Sequence, residues 1–259
     1  MDAQQVQQRE WSWQWEHFQD HEEWLFWDWV SPNTPEDFRG KRVLDAGCGG
    51  GQHLSFVAPY AGHLVGMDLN ASHVARERTQ KFSNVECIEG DIAKATFTDP
   101  FDIVYCVGVI HHTDNPDATF ANLARATKQG GRTIVWCYSK EGNALNEYVL
   151  EPFKRWIFLR LPKNALRILS KVMTAGLYPW VYTVYLLPLR FLPYYEYFQN
   201  FRKLSFERND LNVFDKLNAP QTFFITQERI RGWFEKNGFT DIKISPYKGV
   251  SWRGTGTKM

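Results

Sequence analysis

Three aspartates and a glycine cluster carry the chemistry that can be read first. "VLDAGCGGGQH", residues 43–53, runs an apolar stretch into Asp45 and then spends Gly47, Gly49 and Gly51 on one turn. Glycine inside an ordered element costs about 0.5–1 kcal/mol relative to alanine, so such a turn implies something that must come close to the backbone. Asp68 follows 23 residues after Asp45, in "GMDLN", where an acid can accept both hydroxyls of a ribose. Asp91 follows after another 23, in "EGDIA", where it can accept from an exocyclic amine while Ile92 lies on a flat base. Two adjacent histidines, His111 and His112, are base candidates, since an imidazole titrates near neutral pH. His53 reads as a polar residue at a helix start.

These residues need a frame. "KRVLDAG", "GHLVGMDLN", "NVECIEGD", "FDIVYCVGVI" and "GGRTIVWCYS" are apolar runs of strand length, the second and third ending in Asp68 and Asp91. Near-continuous apolar strands are buried on both faces. Helical segments at 52–60, 71–82 and 116–128 alternate with them, which predicts a parallel sheet with helices on both sides. The glycine turn then sits at the carboxyl end of the first strand, where an open sheet of this kind binds ligands, and the helix after it favours a carboxylate nearby. "TQERIRGWFEKNGF" reads as a helix with a Thr226 cap and a Gly238 stop. "TDIKISPY" and "GVSWRGTGTKM" are joined by a turn too short for a parallel crossover, so that pair is expected to be antiparallel.

The flanks read differently. Residues 11–30 hold six tryptophans with apolar neighbours at helical spacing, and "SPNTPEDFRGK" breaks the pattern with two prolines. The expected organisation is an N-terminal aromatic helical segment over 1–40, a core built from 41–139 and 225–259, and a helical cap over 140–224. Between Glu151 and Ser205 there are nine Lys or Arg against one internal acid, Glu196, interleaved with large aromatics. That segment reads as a lid, either self-packed with a solvated basic face or in peripheral contact with a membrane. Val172–Leu189 carries no charge and has about the length of a membrane span, but Gly176, Pro179 and Pro188 interrupt it. Asp215 reads as a structural Asx turn.

Composition sets outer limits. With 259 residues, 44% hydrophobic and 23% charged, the chain suits one large globular domain, and its net charge of +1 gives no global pull toward nucleic acid. Four cysteines without a C-x-x-C pair read as buried thiols, and the histidines show no metal spacing. The polar start "MDAQQVQQRE" has no signal-peptide pattern, so the expected location is cytoplasmic, with peripheral membrane contact through 151–205.

"VLDAGCGGG", "GMDLN", "EGDI", "FDIVYCVGVIHHTDNP" and "GGRTIV", in that order, resemble the motif series of class I S-adenosylmethionine-dependent methyltransferases, closest to the small-molecule branch called type 11. A nicotinamide dehydrogenase would show G-x-G-x-x-G; here the pattern is D-x-G-x-G-x-G with a further acid after the third strand. The resemblance covers 41–139 and 226–258. It implies a doubly wound seven-stranded α/β sheet with an antiparallel last strand and S-adenosylmethionine as cofactor. By motif, Asp45 and the glycines would face its methionine part, Asp68 with Leu69 its ribose, and Asp91 with Ile92 its adenine. Cys106 and Val107 would line the methyl side, with His111 or His112 as base. "VGVIHHT" replaces the N/D-P-P-Y/F motif of enzymes that methylate nucleobases or glutamine amides. The expected acceptor is a small apolar or membrane-derived molecule, with a sugar or other polar metabolite as the rival. A cofactor-binding protein without activity is the reading from another class.

Overall fold

A computed structural model describes residues 11–18 and 22–259. The polar start and positions 19–21 of the tryptophan-rich stretch lie outside the described residues. Seven strands form one sheet: β1 (Arg42–Ala46), β2 (His63–Asp68), β3 (Val85–Glu89), β4 (Phe101–Val107), β5 (Thr127–Tyr138), β6 (Phe239–Tyr247) and β7 (Ser251–Lys258). Their order is β3-β2-β1-β4-β5-β7-β6. β1 to β5 pair in parallel, while β7 runs antiparallel to both β5 and β6. The hairpin expected from the short 247–251 connection is therefore present.

Strand alternation divides the core into two layers. On β4, Ile103, Tyr105 and Val107 face one side, with α1 (Glu23–Val30), α2 (Gln52–Val57) and α3 (Ser72–Thr79) packed over them. Val104 and Cys106 face the other, beneath α4 (Pro116–Ala126) and α9 (Gln227–Lys236). Local sequence sets the helix starts. Asn115 accepts from the amides of Asp117 and Ala118 with Pro116 in the first turn, and Thr226 accepts from Arg229. Gly238 ends α9 at φ +74°, as the sequence predicts.

Between β5 and α9 lie α5 (Glu151–Trp156), α6 (Lys163–Val181), α7 (Tyr195–Phe201) and α8 (Phe206–Asn218). The helix ending in α5 is continuous from 144, with one π turn at Asn146–Leu150. α6 and α8 share a small core of their own around Leu166, Leu211, Phe214 and Leu217, which Phe18 completes. Ser139 bridges Ile225, and Lys140 donates its amide to the Ile225 carbonyl, so this helical segment leaves and re-enters the sheet side by side. Among the described residues no helix is long and apolar enough to cross a membrane.

The tryptophan-rich stretch is not one helix. Residues 11–17 are helical and α1 begins at Glu23. The two pieces pack differently: Trp29 meets Trp136 on β5, while Trp13 and Phe18 meet Phe214 on α8.

Candidate active site

The glycine turn joins β1 to α2, with Gly47, Gly49 and Gly51 at φ of +92°, +50° and +79°. Positive φ alone selects glycine at all three, but a side chain would meet different things at each. At Gly47 a Cβ would strike the Val109 side chain at 2.6 Å, and at Gly51 the Ala75 backbone at 2.8 Å. Those two glycines let the fold close on itself. At Gly49 the neighbour comes from outside the sheet: a Cβ would lie 2.6 Å from the Trp15 indole.

Asp68, the last residue of β2, organises the turn. Its Oδ2 accepts from the Gly49 amide at 2.9 Å, and Oδ1 accepts from Asn70 and Ala71 at 3.0 and 2.9 Å. Oδ2 keeps a free acceptor direction, and the carboxylate is only half-buried. Leu69 follows it, also half-buried. Asp45 is different. It is 1% exposed, and neither carboxylate oxygen has a hydrogen-bond partner among the described residues. Burial pushes its pKa well above the usual carboxylate range; the Tyr105 hydroxyl opposes this and the nearby Asp68 adds to it. Burial thus favours its neutral form, and only a cation brought against it would restore the charge.

Asp91 lies in the turn two residues beyond the end of β3, its Oδ1 accepting from the Ala93 amide and its Oδ2 paired with Lys94 at 3.1 Å. Ile92 is largely buried among core residues, and its carbonyl accepts from Asn122. Val107 and Cys106 point to opposite faces of β4. Cys106 is wholly buried in the layer under α4 and α9, where burial raises its thiol pKa far out of the reactive range. Only its backbone is placed to meet a ligand. His53 packs against Phe26 and Trp29 and serves the fold.

The adjacent histidines are not equivalent. His111 is fully buried against Tyr138 and His112, with both ring nitrogens lacking partners among the described residues. Burial drives its pKa well below the ordinary value, with His112, Lys216 and Lys154 adding to the effect. His112 lines a cavity of about 210 Å³ between the sheet and the cap. Its Nδ1 stands 2.8 Å from the Gln221 carbonyl, so Nδ1 carries the proton and Nε2 is left as the basic nitrogen. Burial lowers its pKa too, against the opposing pull of Asp215 and of the Gln221 bond. The Trp11 ring packs on it with centroids 5.0 Å apart.

The same cavity is walled by Trp29, Trp136, Tyr138, Tyr197 and Phe198, with Asp215 and Lys216 from α8. Asp215 is no Asx turn. It lies within α8, accepts from the Tyr138 hydroxyl at 3.1 Å and from Gln14 at 3.2 Å, and ties the N-terminal helix and β5 to the cap. Lys216 places its ammonium 5.5 Å from the Tyr138 ring centroid and 5.1 Å from that of Tyr197. Trp11, Trp15, Tyr138 and Lys216 were not legible as site residues, because only the folded chain brings them to the turn and the histidines.

Comparison with known proteins bears on the domain and the fold. Residues 44–135 match the family model described as "Methyltransferase domain". Residues 44–135 of the chain are a methyltransferase domain. A ubiquinone biosynthesis O-methyltransferase from Aromatoleum aromaticum is 31% identical over 112 residues, 41% of this chain and 47% of that protein. One from Thiobacillus denitrificans is 33% identical over 108 residues, covering 40% of this chain and 46% of that protein. The chain thus spans about half the length of these relatives. Among solved structures, an O-methyltransferase family protein from Burkholderia thailandensis superposes with a TM-score of 0.56 at 14% identity, covering 91% of this chain and 56% of that one. A methyltransferase from Thermotoga maritima superposes at 0.52 and 15% identity, covering 99% of this chain and 100% of that one. At such identities these two speak for the fold.

The residues of this methyltransferase domain suit S-adenosylmethionine. The unpartnered Asp45 fits a cationic amino-acid end, and the glycine turn admits close approach. Asp68 retains acceptor capacity for ribose hydroxyls, and Asp91 is half-buried at the next strand end. When bound, the cofactor supplies a methyl group already activated by its sulfonium.

Proposed function

We propose that this protein is a methyltransferase whose acceptor is a small, largely apolar molecule carrying a hydroxyl, held in the cavity beneath the cap. The single observation that carries the reading is His112: an imidazole on the cavity wall, its Nδ1 tied to the Gln221 carbonyl so that Nε2 is the nitrogen left to take a proton. In-line transfer from an activated methyl needs alignment more than a strong electrophile, and such positioning can contribute about 7–11 kcal/mol. Here the aromatic wall of Trp29, Trp136 and Tyr138 orients the acceptor and excludes water, and Trp11 covers the base. Nε2 of His112 takes the proton of the acceptor hydroxyl. His111 packs behind it, desolvated, and holds the rim. A wall that is largely apolar, aromatic and aliphatic side chains together, supports this acceptor class over a free sugar.

The test is a screen of extracted cellular small molecules with methyl-labelled cofactor, run with the wild type, His112→Ala and His111→Ala. We expect label in the lipid-soluble fraction. His112→Ala should lose about 100-fold or more in turnover while cofactor affinity is kept. Label confined to the aqueous fraction overturns the apolar acceptor. Undiminished transfer by His112→Ala removes the base, and cofactor binding with no labelled product in any fraction leaves the non-catalytic reading.

A further inference from the structure

The helix running from 144 through α5 is inside out. Leu145, Tyr148, Val149, Phe153 and Trp156 recur at three-to-four spacing and all face solvent, Trp156 with 75% of its surface exposed. The opposite face carries Asn146, Glu151 and Lys154; the last is wholly buried, bonded to Glu151 and to Thr222. A helix packed by its apolar stripe would show the reverse. The polar face lines the acceptor cavity instead, so the apolar face is left outward. The loop after α6 continues it with Leu186, Leu187 and Phe191, the last 81% exposed. Leu145 and Arg190 line one further cavity, which places the two apolar stretches side by side.

Charge along this face is mostly positive. From Pro152 to Tyr195 the sequence holds seven Lys or Arg and no acid. Three of the seven turn to partners: Lys154 to Glu151, Lys163 to Asn218 and Arg167 to Asp210. The other four, Arg155, Arg160, Lys171 and Arg190, are exposed and have no carboxylate partner among the described residues. Glu196, the first acid beyond, lines the second cavity.

We infer that this face of the cap docks on an anionic lipid bilayer. Tryptophan and tyrosine suit the interface, since each has an apolar body and a polar tip. The unpaired arginines complement acidic headgroups. A second copy of the chain would bring like charges together. The second cavity, of about 380 Å³, shares Tyr194 and Lys248 with the acceptor cavity. On the methyltransferase reading, an amphiphilic acceptor therefore enters from the membrane side.

Sedimentation of the full chain with vesicles tests this. It should pellet with phosphatidylcholine mixed with phosphatidylglycerol, remain in solution with phosphatidylcholine alone, and be released by salt. Trp156→Ser with Phe191→Ser should weaken binding at least tenfold, and Arg155→Ser with Arg160→Ser and Arg190→Ser roughly 100-fold. Cofactor affinity serves as the folding control in each variant. Failure to pellet with the mixed vesicles, or binding unchanged in both sets, overturns the proposal. So does a dimer in analytical ultracentrifugation that Trp156→Ser abolishes. The readout is sedimentation, so docking without any methyl transfer would sink the activity and leave the docking face standing.

Discussion

At the scale of single residues, the site depends on how each acid and base is held. Asp68 binds three backbone amides and still has room for another donor. Asp68→Asn keeps the shape and removes the charge, and a hydrogen bond to a charged group contributes about 1.5–3 kcal/mol. Cofactor affinity measured by calorimetry should fall roughly 10- to 100-fold with the fold retained; unchanged affinity would remove Asp68 from the site. The histidines make opposite use of the same burial. As the proposed base, His112 acts in its neutral form, so with its lowered pKa turnover should rise with pH and level off before about 6.5, the ordinary histidine value. His111 shapes stability. Its folded pKa is depressed, so the unfolded chain binds the proton more readily, and stability is full above about pH 6.5 and lost as pH falls below it. The slope is up to about 1.4 kcal/mol per pH unit per proton. Urea melts of His111→Phe between pH 7 and 5 should show a shallower decline than the wild type. The pair "HH" was visible in the sequence, but the difference between its members was not. It arises from Gln221, 109 residues away, and from Tyr138.

At the scale of elements, the strands were legible because buried parallel strands are apolar throughout, and the caps at Asn115 and Thr226 and the stop at Gly238 act through local chemistry. Boundaries moved where tertiary pairing decides them. β3 ends at Glu89 instead of Asp91, and β5 starts at Thr127, where it pairs with Phe101. The tryptophan stretch shows what spacing leaves open: helical spacing shows that a segment can bury one face, not that it buries it in one place. Its two pieces find different partners. Residues 11–17 lie across the site, with Trp15 on Gly49, Trp11 on His112, Glu16 near His73 at 3.6 Å and Gln14 bonded to Asp215. A ligand that approaches the Gly49 backbone must meet the Trp15 indole. Titration with S-adenosylhomocysteine should therefore change the tryptophan emission of the wild type, and Trp15→Phe should lose most of that change. An equal response in both would show that this helix stands clear of the cofactor.

At the scale of the whole molecule, the insertion point explains how one chain carries both the glycine-turn site and the aromatic-walled cavity beneath the cap. The Tyr138 carbonyl accepts from the Ile225 amide and the Ile225 carbonyl from the Lys140 amide, so the helical segment begins and ends on adjacent positions at the carboxyl end of β5. Closing a loop costs little more as it lengthens, about 0.6 kcal/mol per doubling, so a long insertion at such a point barely burdens the core. α6 and α8 also have a core of their own, whereas the sheet keeps both of its apolar layers. The two parts meet along one seam: Leu204 in the layer over β5, the Arg208 guanidinium 5.4 Å from the Trp29 ring, and the Tyr138–Asp215 and His112–Gln221 hydrogen bonds. Replacing residues 142–222 by a short glycine–serine linker should leave a chain that melts cooperatively by circular dichroism and binds cofactor, weakened by the loss of what anchors the N-terminal helix. It should transfer no methyl, because Gln221, Asp215 and the chamber go with the cap. A chain that neither folds nor binds after excision would show that the cap is part of the core's stability, and that the junction at Ser139 and Ile225 only marks where the two parts cross.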